Sequence, residues 1–87
     1  MSVTVDNRGV IRLGDATTHG GKVIEVASPT GVDGLPLARV GDKVSCPRCS
    51  GIHTIVEGEP TFLDDGIPVA LHGHKTSCGA ALITSVA

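Results

Sequence analysis

Apolar residues come in short bursts along this chain, and no burst lasts long enough to build an amphipathic helix. Val10-Ile11-Arg12-Leu13 reads as a short β-strand running into a Gly14-Asp15 turn. Gly20-Gly21 permits a tight reversal, and the β-branched run Lys22-Val23-Ile24-Glu25-Val26-Ala27 predicts a second strand. Ser28-Pro29-Thr30-Gly31 breaks that strand, and Val32-Asp33-Gly34-Leu35-Pro36 then carries an Asp-Gly hairpin signal. Leu37-Ala38-Arg39-Val40 leads into a second Gly-Asp pair at Gly41-Asp42. From here the order repeats. Thr54-Ile55-Val56-Glu57-Gly58 is the next strand, and Glu59-Pro60-Thr61 answers Ser28-Pro29-Thr30. Asp65-Gly66-Ile67-Pro68-Val69-Ala70 answers Asp33-Gly34-Leu35-Pro36-Leu37-Ala38 in residue type, and 79–86 reads as a closing strand. Gly or Pro interrupts nearly every window before a 3.6-residue period can form. The fold class expected is all-β: short hairpins, internally repeated.

The repetition extends to the residues that carry chemistry. Gly14-Asp15-Ala16-Thr17-Thr18-His19, Gly41-Asp42-Lys43-Val44-Ser45-Cys46 and Gly73-His74-Lys75-Thr76-Ser77-Cys78 each place a His or Cys five residues after a turn glycine. The three slots, at 19, 46 and 78, are offset by 27 and then 32 residues. A soft-metal ligand recurring at one place in three units points to a metal, zinc above all, that pins the units together. Three similar units around one ion imply approximate threefold symmetry within a single chain, with the third unit cut short. Strands splaying from a pinned point predict a cone, narrow at the metal and broad at the far end. A pseudo-threefold base is shaped to cap a threefold object.

Cys46-Pro47-Arg48-Cys49 brings two sulfurs within reach of one tetrahedral ion. The ligand set this suggests is His19, Cys46, Cys49 and Cys78, a closed N and S site that is structural and leaves no position for a reactive water. His53 is the rival, able to stand in for Cys49 or His19, and His72 and His74 share one side of an extended segment as a weaker metal pair. The bland alternatives are a buried thiol for each cysteine and hydrogen-bonded histidines elsewhere. Asp15 and Asp42 follow turn glycines, where Asp bonds nearby backbone. Arg12 and Arg39 read as structural partners of turn carbonyls or acidic neighbours.

Composition sharpens this picture. Eighty-seven residues (1–87) suit one domain. With 12 Gly, 5 Pro, a single Phe and no Trp or Tyr, large core anchors are scarce. A core of this size supplies about 3–5 kcal/mol, so a staple is expected, and a structural zinc contributes on the order of 10 kcal/mol. Three cysteines and an N-terminus without signal-peptide regions suit metal ligation in a reducing cytoplasm. A net charge of −2, no basic run and no aromatic platform argue against nucleic acid. No apolar run approaches the ~20 residues of a membrane span.

Asp33-Gly34-Leu35-Pro36-Leu37-Ala38-Arg39-Val40-Gly41-Asp42 closely resembles the Pro-Ala-Ala-Arg motif of PAAR-repeat proteins. His19-Gly20-Gly21, Cys46-Pro47 and Cys78-Gly79-Ala80 also stand where that family places them, and the likeness runs from about Val10 to Ser85. The resemblance implies a pointed cone with zinc near its vertex. Its base would bind the end of a trimeric VgrG-type spike in a type VI secretion machine, one monomer per trimer. The family sharpens the spike and can carry or recruit effectors; this chain resembles a bare tip without a fused effector, made in the cytoplasm and exported with the spike. Three departures stand out. Leu37 replaces the first Ala of the motif, the third unit lacks both the Arg and the Asp, and Cys49 stands where many members have a His. The competing functions are a zinc-stabilised adaptor or nucleic-acid-binding ribbon, and a small zinc hydrolase. The first lacks a basic or aromatic surface, and the second lacks an open metal position and a general base.

Overall fold

Glycine and aspartate set the turns. At Asp33-Gly34 and Asp65-Gly66 both residues have positive φ, 51° and 85° in one pair and 54° and 81° in the other. That is the backbone of the two-residue turn whose twist matches a right-handed hairpin. The computed structural model describes residues 4–5, 8–48 and 50–85. Each of three successive units opens on an antiparallel pair of short strands. The first holds β1 (Thr4–Val5) and β2 (Arg8–Gly9), then β3 (Ala16–Thr17) and β4 (Val23–Glu25). The second holds β5 (Gly31–Val32), β6 (Leu35–Pro36), β7 (Lys43–Ser45) and β8 (Ile52–Thr54). The third holds β9 (Glu59–Asp64), β10 (Ile67–Val69) and β11 (Leu82–Ile83). No helix occurs among the described residues. The fold is all-β.

Backbone hydrogen bonds close the units into a ring. Ala38 N–H donates to Ile11 C=O (2.8 Å), Ala70 N–H to Ala38 C=O (3.0 Å) and Ile11 N–H to Ala70 C=O (3.0 Å). A second cycle runs from Ser45 N–H to Lys22 C=O (2.8 Å), Ser77 N–H to Thr54 C=O (2.8 Å) and Thr18 N–H to Ala81 C=O (2.9 Å). Side chains copy it: the Ser45, Ser77 and Thr18 hydroxyls accept from the Lys22, Thr54 and Ala81 amides. These cycles establish the pseudo-threefold arrangement, with positions 11, 38 and 70 equivalent. The dimensions, 32 × 24 × 22 Å, give one long axis and two nearly equal short ones.

The core is built from equivalent triplets. Val10, Leu37 and Val69 pack with Leu71, while Ile11, Ala38 and Ala70 pack with Val23, Ile55, Leu82 and Val44. All are 0–1 % exposed. Each buried Val, Leu or Ile contributes about 1.5–3 kcal/mol. Val32 and Phe62, from the hairpins, cover the first cluster.

Several expectations change. The run 10–13 forms no continuous strand: Val10 bridges Leu71 while Arg12 bridges Leu37. One residue faces the third unit and the other the second, so the ladder is shared between neighbours and no rung repeats. The closing strand likewise shrinks to Leu82–Ile83, paired with Thr17 and Ala16. The third unit is also not cut short. Counted from its hairpin, every unit is complete, because β1–β2 supplies the first unit with what β5–β6 and β9–β10 supply to the others.

Candidate metal centre

After each Gly turn the chain runs extended, with alternate residues pointing inward. Asp15, Thr17 and His19 occupy the inward positions of the first unit, Asp42, Val44 and Cys46 those of the second, and His74, Thr76 and Cys78 those of the third. The ends of the three segments then meet. His19 Nδ1 lies 3.5 Å from Cys46 Sγ and 3.8 Å from Cys78 Sγ, and the three donor atoms all fall within 4.8 Å of one another. A tetrahedral ion with bonds of about 2.3 Å to sulfur and 2.0 Å to nitrogen sets N···S edges near ~3.6 Å and S···S edges near ~3.8 Å. The observed spacing fits those edges. These three residues can hold a metal ion.

Tight turns fix the donors. Gly20 N–H donates to Thr17 C=O (3.1 Å) and Gly79 N–H to Thr76 C=O (3.0 Å), reversing the chain immediately beyond His19 and Cys78. Thr17 Oγ1 accepts from the His19 and Gly21 amides, and Thr76 Oγ1 sits 3.2 Å from Cys78 Sγ. Burial pushes the Cys78 thiol up, but hydrogen bonds from Cys46, Thr76, the Ala80 backbone and His19 together outweigh it and bring its pKa down to about 6. Cys78 therefore favours the thiolate that ligates metals at neutral pH.

Of the four residues nominated from the sequence, the structure brings together His19, Cys46 and Cys78; Cys49 lies outside the described residues. His53 is on β8, with Nε2 3.2 Å from Ser50 C=O and Nδ1 3.3 Å from Ser77 Oγ. His72 Nδ1 accepts from Thr84 N–H, and His74 Nδ1 accepts from Leu71 N–H. His74 thereby does what Asp15 and Asp42 do: each carboxylate accepts the amide three residues earlier, Arg12 or Arg39, at 2.8 Å. Sequence reading noted the missing Asp and overlooked the substitute. The signal was present, because position 74 aligns with 15 and 42.

The two arginines reach from the core to the hairpins. Arg12 Nη1 donates to Val32 C=O (2.9 Å) and Arg39 Nη1 to Asp64 C=O (3.0 Å). Arg39 is 5 % exposed and also meets the Asp64 carboxylate at 3.4 Å. A profile of the PAAR motif matches residues 2–84. The chain belongs to the PAAR-motif family. No curated protein matches it. Within this PAAR protein the motif residues Pro36-Leu37-Ala38-Arg39 each have a mechanical task. Pro36 C=O accepts Leu13 N–H, Leu37 and Ala38 enter the two core clusters, and Arg39 clamps the following hairpin. Leu37 in place of Ala fits because Val10 and Val69, its equivalents, leave room for an aliphatic side chain.

Proposed function

We propose that this PAAR protein caps and sharpens the trimeric VgrG-type spike of a type VI secretion system, with a structural zinc near its point. The observation that carries the reading is the family match over 2–84 on a chain whose backbone closes in threefold cycles. A threefold shaft presents three equal chain ends. This protein presents three equivalent hairpins, β1–β2, β5–β6 and β9–β10. Leu35 (37 % exposed) and Leu63 (53 %) on two of them give that end apolar surface for a partner. The proposed cone runs from this base to a vertex at His19, Cys46 and Cys78, and effectors recruited as cargo would travel with the spike.

Zinc suits the donor set, since mixed imidazole and thiolate ligands in a tetrahedron are its structural chemistry. Three symmetric units supply three ligands, so the fourth corner needs an asymmetric element. The second unit has one. Five more residues separate Cys46 from Ile55 than separate His19 from Val23 or Cys78 from Leu82, the residues whose carbonyls accept Gly41, Gly14 and Gly73. Cys49 belongs to that extra stretch and is the proposed fourth ligand. A site closed in this way is structural, and the protein acts without catalysis. It is made in the cytoplasm and leaves with the spike. Mixing the protein with a trimeric VgrG-type spike should give a complex of one chain per trimer by native mass spectrometry. A ratio of three chains per trimer, or no complex, overturns the reading.

A further inference from the structure

Chain continuity joins the first unit to the second and the second to the third. The remaining junction, third to first, has no covalent link and is held by a seam of hydrogen bonds. His72 N–H donates to Gly9 C=O (2.8 Å), Arg8 Nε to His72 C=O (2.8 Å) and Thr84 Oγ1 to Val10 C=O (2.7 Å). Ile11 N–H to Ala70 C=O completes the inner cycle at the same junction. The turn that aims this seam is 71–74, and its cap differs from the other two. Arg12 and Arg39 amides are capped by carboxylates, which are acceptors only, whereas the Leu71 amide is capped at 2.8 Å by His74 Nδ1. An imidazole accepts at Nδ1 only while that nitrogen carries no proton.

We propose that His74 is an acid-sensitive latch: a proton on Nδ1 removes the acceptor for Leu71 N–H and loosens the seam between the third unit and the first, while Asp15 and Asp42 keep their turns capped. The groups around His74 are Arg8 on β2, Glu57 ahead of β9, Glu59 at its start, and its chain neighbours His72 and Lys75, the Lys75 amide being held by Glu57 Oε1 at 2.7 Å. Burial first, and then the Arg8 charge, lower the His74 pKa below its usual 6.5, against the opposing pull of Glu57 and Glu59. The folded state thus prefers the neutral cap, and the unfolded chain takes the proton first as pH falls. The stability this cap contributes is complete above about pH 6.5 and is lost as pH drops through the lower folded value.

Acid also protonates thiolate ligands, so the test compares sites within one zinc-loaded molecule and records its zinc content throughout. Amide hydrogen exchange is followed at about pH 7 and about pH 5. Protection of Leu71 should fall relative to Arg39 in the wild type, because acid replaces the neutral imidazole that accepts the Leu71 amide by one protonated at Nδ1. In His74→Asp and in His74→Asn, whose side-chain oxygens accept in both conditions, the ratio should stay level. Leu71 and Arg39 losing protection in step in the wild type overturns the latch, whether or not either variant folds. So does an acid loss at Leu71 that persists in His74→Asp.

Discussion

A methyl group on residue 21 would sit 1.8 Å from the Ser45 carbonyl oxygen and 2.7 Å from its carbon. At Gly21 the first unit lies tight against the second, and Lys22 beside it exchanges three hydrogen bonds with Ser45. Gly34 makes a contrast: it has φ of +85° with nothing within 4 Å of a would-be Cβ, so a side chain there meets only backbone strain. Gly34→Ala should cost about 1 kcal/mol. Gly21→Ala should cost about 3 kcal/mol or more, because a backbone oxygen cannot move aside without parting the first unit from the second. Thermal denaturation of the two variants checks the order, and equal losses would contradict the close approach. Sequence reading treated Gly20-Gly21 as one tight reversal. It recovered His19, Cys46 and Cys78 because a ligand slot repeats in the chain. It gave no sign that one glycine serves the turn and the other a neighbouring unit, since that contact is made across 24 residues of sequence.

Hairpin β9–β10 is held from outside by charge. Asp64, at the end of β9, accepts hydrogen bonds from Ser28 and Thr30 (2.6 Å) and lies against Arg39. The Ser28 and Thr30 hydroxyls, aided by Arg39, hold its carboxyl below the usual 3.8 despite some opposing desolvation. As pH falls the unfolded chain is therefore protonated first. The stability from this carboxylate is whole above about pH 4 and disappears as pH drops through the folded value. Asp64→Asn should flatten the fall in melting temperature below about pH 4 relative to the wild type, and superimposable profiles would refute the assignment. The Asp-Gly signals of β5–β6 and β9–β10 were plain in the sequence because a two-residue turn is a local property. Strand lengths were not legible. A run such as 10–13 has β-propensity throughout, yet its partners alternate between units, and propensity carries no information about which neighbour a residue faces.

At the scale of the whole molecule, no unit can be stable by itself. Each of the inner amides Ile11, Ala38 and Ala70 bonds to a different unit from its own, and each core cluster draws residues from all three. Among the described residues the largest fully buried side chains are Ile, Leu, Val and Cys46, without an aromatic among them. The threefold order was visible in the offsets of 19, 46 and 78, but the hairpin completing the first unit was missed because the repeat was counted from the wrong phase, at Val10. An ion held by His19, Cys46 and Cys78 would tie all three units together, as the inner cycle does. Its contribution would therefore belong to the ring and not to any one turn. Removing it with a chelator, from protein carrying one zinc per chain, should lower the melting temperature steeply, since such a site supplies on the order of 10 kcal/mol. Exchange of Ile11, Ala38 and Ala70 amides should rise together. If only the turns after His19, Cys46 and Cys78 loosened while the inner cycle stayed protected, the ion would be a local ornament on a core that closes without it.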